Sequence, residues 1–157
     1  MDSSNINTSD VEFMKMAIAE AKLSLLSDDV PVGALIVRDG EVIASAHNAR
    51  EADGCATAHA EVRAIESACK KLGRWRLSDC VMYVTIEPCI MCAGAIINAR
   101  IGKVIFGAKN PKAGACVSII DVNAYSFGAK AEFICGVCEE ECKELISDFF
   151  KKKRAVE

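Results

Sequence analysis

The chain has 157 residues, of which 52% are hydrophobic, and its formal net charge is −3. This length suits one domain with a substantial core and leaves little room for two. The longest charge-free apolar stretches, such as 90–97, fall far short of the roughly 18 residues that a membrane helix needs. The first ten residues contain no basic start followed by an apolar run, which predicts a cytoplasmic protein without a secretory signal.

The charge balance and the cysteines narrow the class of protein further. Lys and Arg total 19 against 22 Asp and Glu, which argues against a surface built for long nucleic-acid duplexes but leaves room for a local basic patch. The nine cysteines are many and odd in number. In a chain without an export signal they indicate metal binding or packing rather than a disulfide framework.

The N-terminal segment changes from polar to periodic within ten residues. Residues 1–8 are polar and aperiodic, which predicts a flexible arm. Ser9 and Glu12 have the spacing of a capping box, and the apolar positions behind them predict a helix to about residue 26. A hairpin turn is predicted at 39–40, where Asp-Gly separates two β-rich segments.

The rest of the chain alternates between strand and helix patterns. Strands are predicted at the β-rich apolar segments 32–37, 41–46, 81–86, 103–107 and 131–135. Helices are predicted at 59–71, 89–98 and 138–152, with loops at 48–55 and 108–130 and a short helix near 117–122. This order predicts an α/β fold in a single domain over 1–157, a three-layer α/β/α sandwich around a five-stranded mixed sheet.

Two short motifs, His59-Ala60-Glu61 and Pro88-Cys89-Ile90-Met91-Cys92, each open a predicted helix. Cys89 and Cys92 in one helical turn can hold the same ion, and the free N–H groups there favour thiolates. With the His59 imidazole they form a donor set suited to zinc. Three protein ligands leave a fourth position open, which is typical of catalytic zinc. Such a zinc lowers the pKa of water from about 15.7 to about 7, and Glu61 is placed to move a proton beside it.

The combination of H-x-E with P-C-x-x-C is the signature of zinc deaminases, although either motif alone is weak. Two other interpretations stay open. His59 and the two cysteines could be ordinary core residues, or a further cysteine could close a structural zinc site. The position of both motifs at helix starts favours the catalytic interpretation.

The segments TAHAE at 57–61 and YVTIEPCIMCAGAI at 83–96 resemble the bacterial tRNA-specific adenosine deaminases of the cytidine-deaminase superfamily. The resemblance extends over about residues 12–154 and includes WRL at 75–77, PKAGA at 111–115 and DFF at 148–150. It implies a cytidine-deaminase-like fold with one Zn²⁺ per subunit on His59, Cys89 and Cys92. It also implies a homodimer whose helices near the metal pack across the interface.

The resemblance implies a reaction and a partner as well. The wobble adenosine of a tRNA anticodon stem-loop is flipped into a pocket, activated water attacks C6, Glu61 moves the protons, and inosine and ammonia form. Asn48 is implied to fix the nucleoside, although it could be a simple turn residue. The RNA contacts implied at the end of the last helix are Phe150, Lys151, Lys153 and Arg154. Their charges could instead only stabilise the helix C-terminus.

Three departures from the family pattern bear on the substrate. Cys55-Ala56 replaces the usual Asp-Pro before TAHAE, and the segment 123–130 lacks an Asn-His-Arg-like element. Asn110 stands where Asp is usual, near the substrate's sugar and phosphate, which suggests easier acceptance of deoxyribose. Two alternative functions therefore remain: a free nucleobase or nucleoside deaminase of guanine, adenine or cytosine type, and a non-catalytic zinc-stabilised binding module.

The other cysteines are predicted to be structural. Cys135, Cys138 and Cys142 could form a second metal site or a redox pair, but their pattern favours packing. The core cysteines are expected to be Cys69, Cys80 and Cys116. Cys55 lies in the loop before His59 and is expected to be exposed.

Overall fold

The computed structural model describes residues 6–156. Its strands are β1 (Gly33–Arg38), β2 (Glu41–His47), β3 (Val81–Ile86), β4 (Lys103–Ala108) and β5 (Glu132–Cys135). Its α-helices are α1 (Thr8–Lys22), α2 (Arg50–Asp53), α3 (Ala60–Leu72), α4 (Ile90–Asn98) and α5 (Glu139–Val156). Short 3₁₀ turns occupy Leu23–Ser27 and Val122–Ala124. The five predicted strands and the four longer helices are all confirmed.

The five strands form one mixed sheet in the order β2-β1-β3-β4-β5. β1 runs antiparallel to both of its neighbours, whereas β3, β4 and β5 are mutually parallel. A parallel pair needs a crossover connection, and α4 supplies it between β3 and β4. The antiparallel hairpin of β1 and β2 turns at Asp39 and Gly40, as predicted.

Helices cover both faces of this sheet, which confirms the three-layer sandwich. On one face, α3 and α4 pack against side chains such as Ile36 and Phe106. On the other, α1 and α5 pack against side chains such as Leu35 and Ile105. The close approach of α1 requires glycine at position 33, because a Cβ there would lie 2.0 Å from the Ala17 carbonyl oxygen.

The start of α1 differs from the prediction. Asn7, rather than Ser9, is the N-cap, and its side chain accepts a 3.0 Å hydrogen bond from the Asp10 N–H. Asp10 replaces the predicted Glu12 as the reciprocal partner, because its other carboxylate oxygen is held by the buried Tyr83 hydroxyl at 2.6 Å. Of the flexible arm predicted at 1–8, Asn7 and Thr8 instead belong to the start of α1, and residues 1–5 lie outside the described part of the chain.

Three other boundaries also differ. The predicted loop 48–55 contains α2. The helical turn predicted near 117–122 lies at Val122–Ala124, because the Asp121 carboxylate accepts from the Asn123 N–H and starts the turn there. α4 begins at Ile90, one residue later than predicted, because Cys89 is the extended N-cap. Among the described residues, no helix is both long enough and apolar enough to cross a membrane.

Candidate metal and substrate site

Two helix starts on the same face of the sheet carry the predicted metal ligands. His59 is the N-cap of α3 and Cys89 is the N-cap of α4, and both have extended backbone. Neither side chain caps its own helix, so the imidazole and the thiol are available to face each other. Cys92 lies in the first turn of α4 and is fully buried.

The three predicted donors meet at one point. The Sγ atoms of Cys89 and Cys92 lie 3.7 Å and 3.4 Å from Nδ1 of His59. Ligand atoms around one tetrahedral zinc, at about 2.0–2.3 Å from the ion, are roughly 3.3–3.8 Å apart. No fourth His, Cys, Asp or Glu joins this group in the described part of the chain. The donor set therefore fits an open zinc site, and no further cysteine closes it.

The pKa values of the three donor groups are shifted in different directions. A hydrogen bond from Cys92 lowers the pKa of Cys89 to about 3, against the weaker opposing effect of burial, and His59 lowers it further. The same bond raises the pKa of Cys92. The bond to Cys89 raises the pKa of His59. The cluster thus favours the thiolate form of Cys89, which is the form that binds a metal.

Glu61 lies in the first turn of α3, with only 3% of its surface exposed. Burial raises the pKa of its carboxyl group, and the negative charge of Cys89 acts in the same direction. A carboxyl whose pKa is shifted toward neutrality can both accept and return a proton. Glu61 lines the same cavity as His59 and Cys89.

Asn48 combines a structural contact with a position in the site. Its side-chain oxygen accepts a 2.8 Å hydrogen bond from the N–H of Ala60, the first residue of α3. It therefore caps the helix in place of His59. Asn48 also lines the cavity, and its Nδ2 has no hydrogen-bond partner among the described residues.

A cavity of about 860 Å³ opens above His59 and Glu61. This volume lies in the range of small-molecule sites. Three segments form its walls: the region around α2, the loop after β4, and α5. Cations from all three walls line it, namely Arg50, Lys109, Lys112, Lys143 and Lys153. Acidic side chains also line it, namely Asp28, Asp29, Glu51, Glu61 and Glu87, so charges of both signs surround the candidate metal site.

The predicted RNA-contact residues divide into two groups. Phe150 and Lys153 line the cavity, and Lys153 also pairs with Asp28. Lys151 and Arg154 are exposed on α5 but do not line the cavity. Asn110 lines the cavity, and its side-chain oxygen accepts a 3.2 Å hydrogen bond from the Ala113 N–H.

Two buried carboxylates near the cavity were missed by the sequence analysis. Asp29 accepts hydrogen bonds from the N–H groups of Glu51 and Ala52 and so caps α2 from a distance. Glu87 accepts hydrogen bonds from the loop after β4. Burial alone would raise the pKa of Glu87, but the bonds from Ser118 and its neighbours outweigh burial and lower it. No local pattern signals either role, because the partners lie more than twenty residues away in the chain.

All nine cysteines are free thiols. Cys80 and Cys116 are buried as predicted, whereas Cys69 is half-buried. Cys142 is buried, while Cys135 and Cys138 are half-buried and pack against the core, which agrees with a structural role. Cys55 is exposed, as expected.

Comparison with known proteins places the chain in a family. It matches the MafB19-like deaminase model over residues 8–154. The tRNA-specific adenosine deaminase of Bacillus subtilis (strain 168) is 47% identical over 94% of this chain and 92% of its own length. That of Aquifex aeolicus (strain VF5) is 46% identical over 90% of this chain and 94% of its own length. The chain belongs to the family of the tRNA-specific adenosine deaminases.

Solved structures confirm the cytidine-deaminase-like fold of this deaminase. One, from a study of A-to-I editing by tRNA:A34 deaminases at the wobble position of transfer RNA, has a TM-score of 0.83 and 40% identity. The match covers 85% of this chain and 98% of that one. The guanine deaminase of Bacillus subtilis is 42% identical with a TM-score of 0.60, but the match covers 66% of each chain. The similarity to the tRNA deaminases thus extends over more of the molecule.

Proposed function

We propose that this deaminase converts the wobble adenosine of a tRNA anticodon to inosine with release of ammonia. One observation carries the proposal: the buried Glu61 lies beside the His59, Cys89 and Cys92 donors in a cavity large enough for a small molecule. The relatives that bear the name tRNA-specific adenosine deaminase match about 90% of the chain, which supports this substrate. A tRNA substrate also agrees with the cytoplasmic location predicted from the sequence.

We infer that His59, Cys89 and Cys92 hold one Zn²⁺. The open donor set and the low pKa of the Cys89 thiol support this inference. When bound, zinc supplies the Lewis acidity that makes water a nucleophile at neutral pH.

Glu61 is proposed to carry the protons of the reaction. It accepts a proton from the water that attacks C6 and delivers it to the neighbouring ring nitrogen N1. It then takes the second water proton to the amino nitrogen, which leaves as ammonia while the C6 oxygen becomes a carbonyl. The raised pKa of the Glu61 carboxyl suits this exchange in both directions. Asn48 is proposed to hold the nucleoside through Nδ2, since its oxygen is engaged with Ala60.

The RNA is proposed to lie against α5 and the loop after β4. Phe150 is 41% exposed at the cavity, where an unpaired base can stack on it. Lys153 lines the same wall, and Lys151 and Arg154 extend its positive charge along the exposed helix. Charge combined with stacking is how proteins commonly hold single-stranded RNA loops. Asn110, in the loop after β4, is proposed to contact the sugar and phosphate.

We further propose a homodimer through the outer surface of α4 and the loop after β4. Ile90 and Ile119 are each 59% exposed there, and a second subunit would cover them. Sedimentation velocity of the full chain tests the assembly: a dimer that dissociates in an Ile90→Asp variant supports the proposal, and a monomeric wild type contradicts it.

The decisive experiment compares substrates. The zinc-loaded enzyme is incubated with an arginine tRNA that carries a wobble adenosine, with its anticodon hairpin, and with the same hairpin as DNA. A hairpin whose adenosine is moved by one position is the control. Free adenine, adenosine, guanine and cytosine are tested in parallel. Inosine at the wobble position, with none in the control hairpin and no turnover of the free compounds, supports the proposal. Turnover of free bases without turnover of tRNA contradicts it. Turnover of the DNA hairpin would support the predicted tolerance of Asn110 for deoxyribose.

A second candidate, guanine deamination, is favoured by the 42% identity to the Bacillus subtilis guanine deaminase over 66% of each chain. Xanthine formation from free guanine in the same assay is the result that would support it.

A further inference from the structure

Glu87, which directly follows β3, gathers an unusual number of hydrogen bonds on one buried carboxylate. Only 1% of its surface is exposed. Oε2 accepts from three successive N–H groups, at 3.1 Å from Cys116, 2.8 Å from Val117 and 2.9 Å from Ser118. Oε1 accepts from the Asn110 N–H at 3.1 Å and from the Ser118 hydroxyl. Five donors therefore converge on this carboxylate, and they come from both ends of the 110–118 loop.

The loop is also fitted closely around Glu87. A Cβ at Gly114 would lie 2.3 Å from both Cδ and Oε2 of Glu87, so this position has no space for a side chain. The Ala115 N–H donates to the Pro88 carbonyl at 2.9 Å, and Gly114 forms a β-bridge with Cys89. The 110–118 loop is thus attached to the segment that carries a proposed metal ligand.

The same loop forms one wall of the cavity. Asn110, Lys112 and Ala113 line the cavity between the two points that Glu87 holds. If the attachment at Asn110 were lost, this wall would move relative to the donor set below it. Filling the space among five inward-pointing donors with an apolar group would leave them unsatisfied, which is costly in a buried position. The loop therefore requires a hydrogen-bond acceptor at this position.

We propose that Glu87 is a positioning residue for the substrate, because its carboxylate sets the distance between the cavity wall at 110–113 and the proposed metal segment. The identity of the substrate rests on the proposed function, whereas the positioning of the loop does not. Glu87 itself lies outside the reacting groups. Its effect passes through the loop to the residues that meet the bound RNA.

The substitution Glu87→Gln tests this with little change in shape. A glutamine can still accept from 116–118 through its oxygen, and the Ser118 hydroxyl can turn to accept from its amide. The Asn110 N–H then faces an amide donor, so this end of the loop should loosen most. We expect amide hydrogen exchange at Asn110 to accelerate about tenfold. The zinc content should stay at one ion per chain, and KM for the anticodon hairpin should rise more than kcat falls.

Two further variants complete the experiment. Ser118→Ala removes one donor and keeps the negative charge of Glu87, so a smaller acceleration of exchange within 110–118 is expected. This variant decides the question if Glu87→Gln does not fold. Asp29→Asn makes the same chemical change at the wall formed by α2 and should accelerate exchange at 51–52 but not at Asn110.

Unchanged exchange at 110–118 in the folded variants would overturn the proposal. Loss of zinc from Glu87→Gln together with the faster exchange would also overturn the proposal. An unaltered KM in a variant whose loop exchanges faster would overturn it as well. A wild type that deaminates no hairpin would refute the proposed function instead, and the exchange and zinc measurements would then decide the role of Glu87 alone.

Discussion

The side-chain oxygen of Asn48 accepts a 2.8 Å hydrogen bond from the backbone N–H of Ala60. His59, the N-cap of α3, makes no such bond with its own side chain. The helix is therefore capped by a residue twelve positions earlier, and the His59 imidazole is left to face the two cysteines. The same Asn48 amide borders the cavity, so one side chain links the start of α3 to the proposed substrate site.

Replacing Asn48 by Asp separates these two contacts. Aspartate keeps the acceptor that caps α3, so the free energy of unfolding should change by less than about 0.5 kcal/mol. It replaces the Nδ2 donor by an acceptor, so kcat/KM should fall by about tenfold or more. Asn48→Ala should lose both the helix cap and the substrate contact, and its free energy of unfolding should be about 1 kcal/mol lower than that of the wild type. Chemical unfolding and steady-state kinetics measure the two effects, and full activity in Asn48→Asp would refute a substrate contact.

Glu61→Gln should abolish proton transfer while leaving the fold intact. The amide cannot accept and return a proton, so kcat should fall by about 10²–10⁴-fold. Metal content and thermal unfolding should match the wild type, because Glu61 is not in the donor set. The measurement is inosine formation together with zinc analysis of the same sample. Turnover at the wild-type rate would rule out the proposed proton carrier.

Zinc binding should depend on His59, Cys89 and Cys92 and on no other cysteine. A chelator is expected to eliminate activity and lower the melting temperature, and added Zn²⁺ should restore both. Cys92→Ser should purify without zinc. Cys142→Ala is the matched control, since Cys142 is equally buried but belongs to the core on the other face of the sheet. Zinc bound stoichiometrically to Cys92→Ser would contradict the assigned donor set.

The charges at the end of α5 should contribute to RNA affinity in a salt-dependent manner. Lys151→Gln and Arg154→Gln each remove one exposed charge, and each should lower the slope of log K against log salt by about 0.7 if it contacts a phosphate. Lys70→Gln, an exposed lysine at the far end of α3, is the control and should leave the slope unchanged. Fluorescence anisotropy with an anticodon hairpin at several salt concentrations provides the measurement. Equal slopes in all three variants would leave the charges a role only in helix stability.

Asp29 predicts a pH-dependent contribution to stability. Burial alone would raise its pKa, but hydrogen bonds from Glu51 and Ser27 outweigh burial and lower the pKa from its ordinary 3.8. A group with a lowered folded pKa stabilises the protein above its ordinary pKa and loses this effect as the pH falls through the folded value. Asp29→Asn should therefore be about 1 kcal/mol less stable at pH 7 and approach the wild type in strong acid. Urea unfolding at several pH values measures the difference, and a gap that is constant with pH would contradict the assignment.

Local patterns predicted the residues that meet in the candidate metal site, because each motif lies within one helical turn. His59 and Glu61 open α3, and Cys89 and Cys92 open α4, so only the packing of two predicted helices on one face was needed to bring the donors together. Helical and strand periodicity likewise predicted the sheet and its covering helices. These features depend on residues that are close in sequence.

Such local patterns could not predict polar contacts between residues that lie far apart in the sequence. Asp29 caps α2 from 22 positions away, and Glu87 binds a loop about 30 positions further along the chain. Each is a single carboxylate beside an ordinary strand or turn, with nothing periodic to mark its partner. At the N-terminus, Ser9 was the predicted N-cap, but the structure has Asn7 in that position. Tertiary contact of Asp10 with Tyr83 selected Asn7.

The candidate donor set also couples metal affinity to folding. Cys89 and Cys92 are close along the chain, so an unfolded polypeptide can already offer two thiolates to an ion. His59 lies 30 residues before Cys89 and meets the two cysteines only where α3 and α4 pack on the same face of the sheet. The third donor therefore depends on long-range contacts of the folded chain. Tight retention of the ion should therefore mark a chain that has finished folding, and a nascent chain should exchange its metal freely.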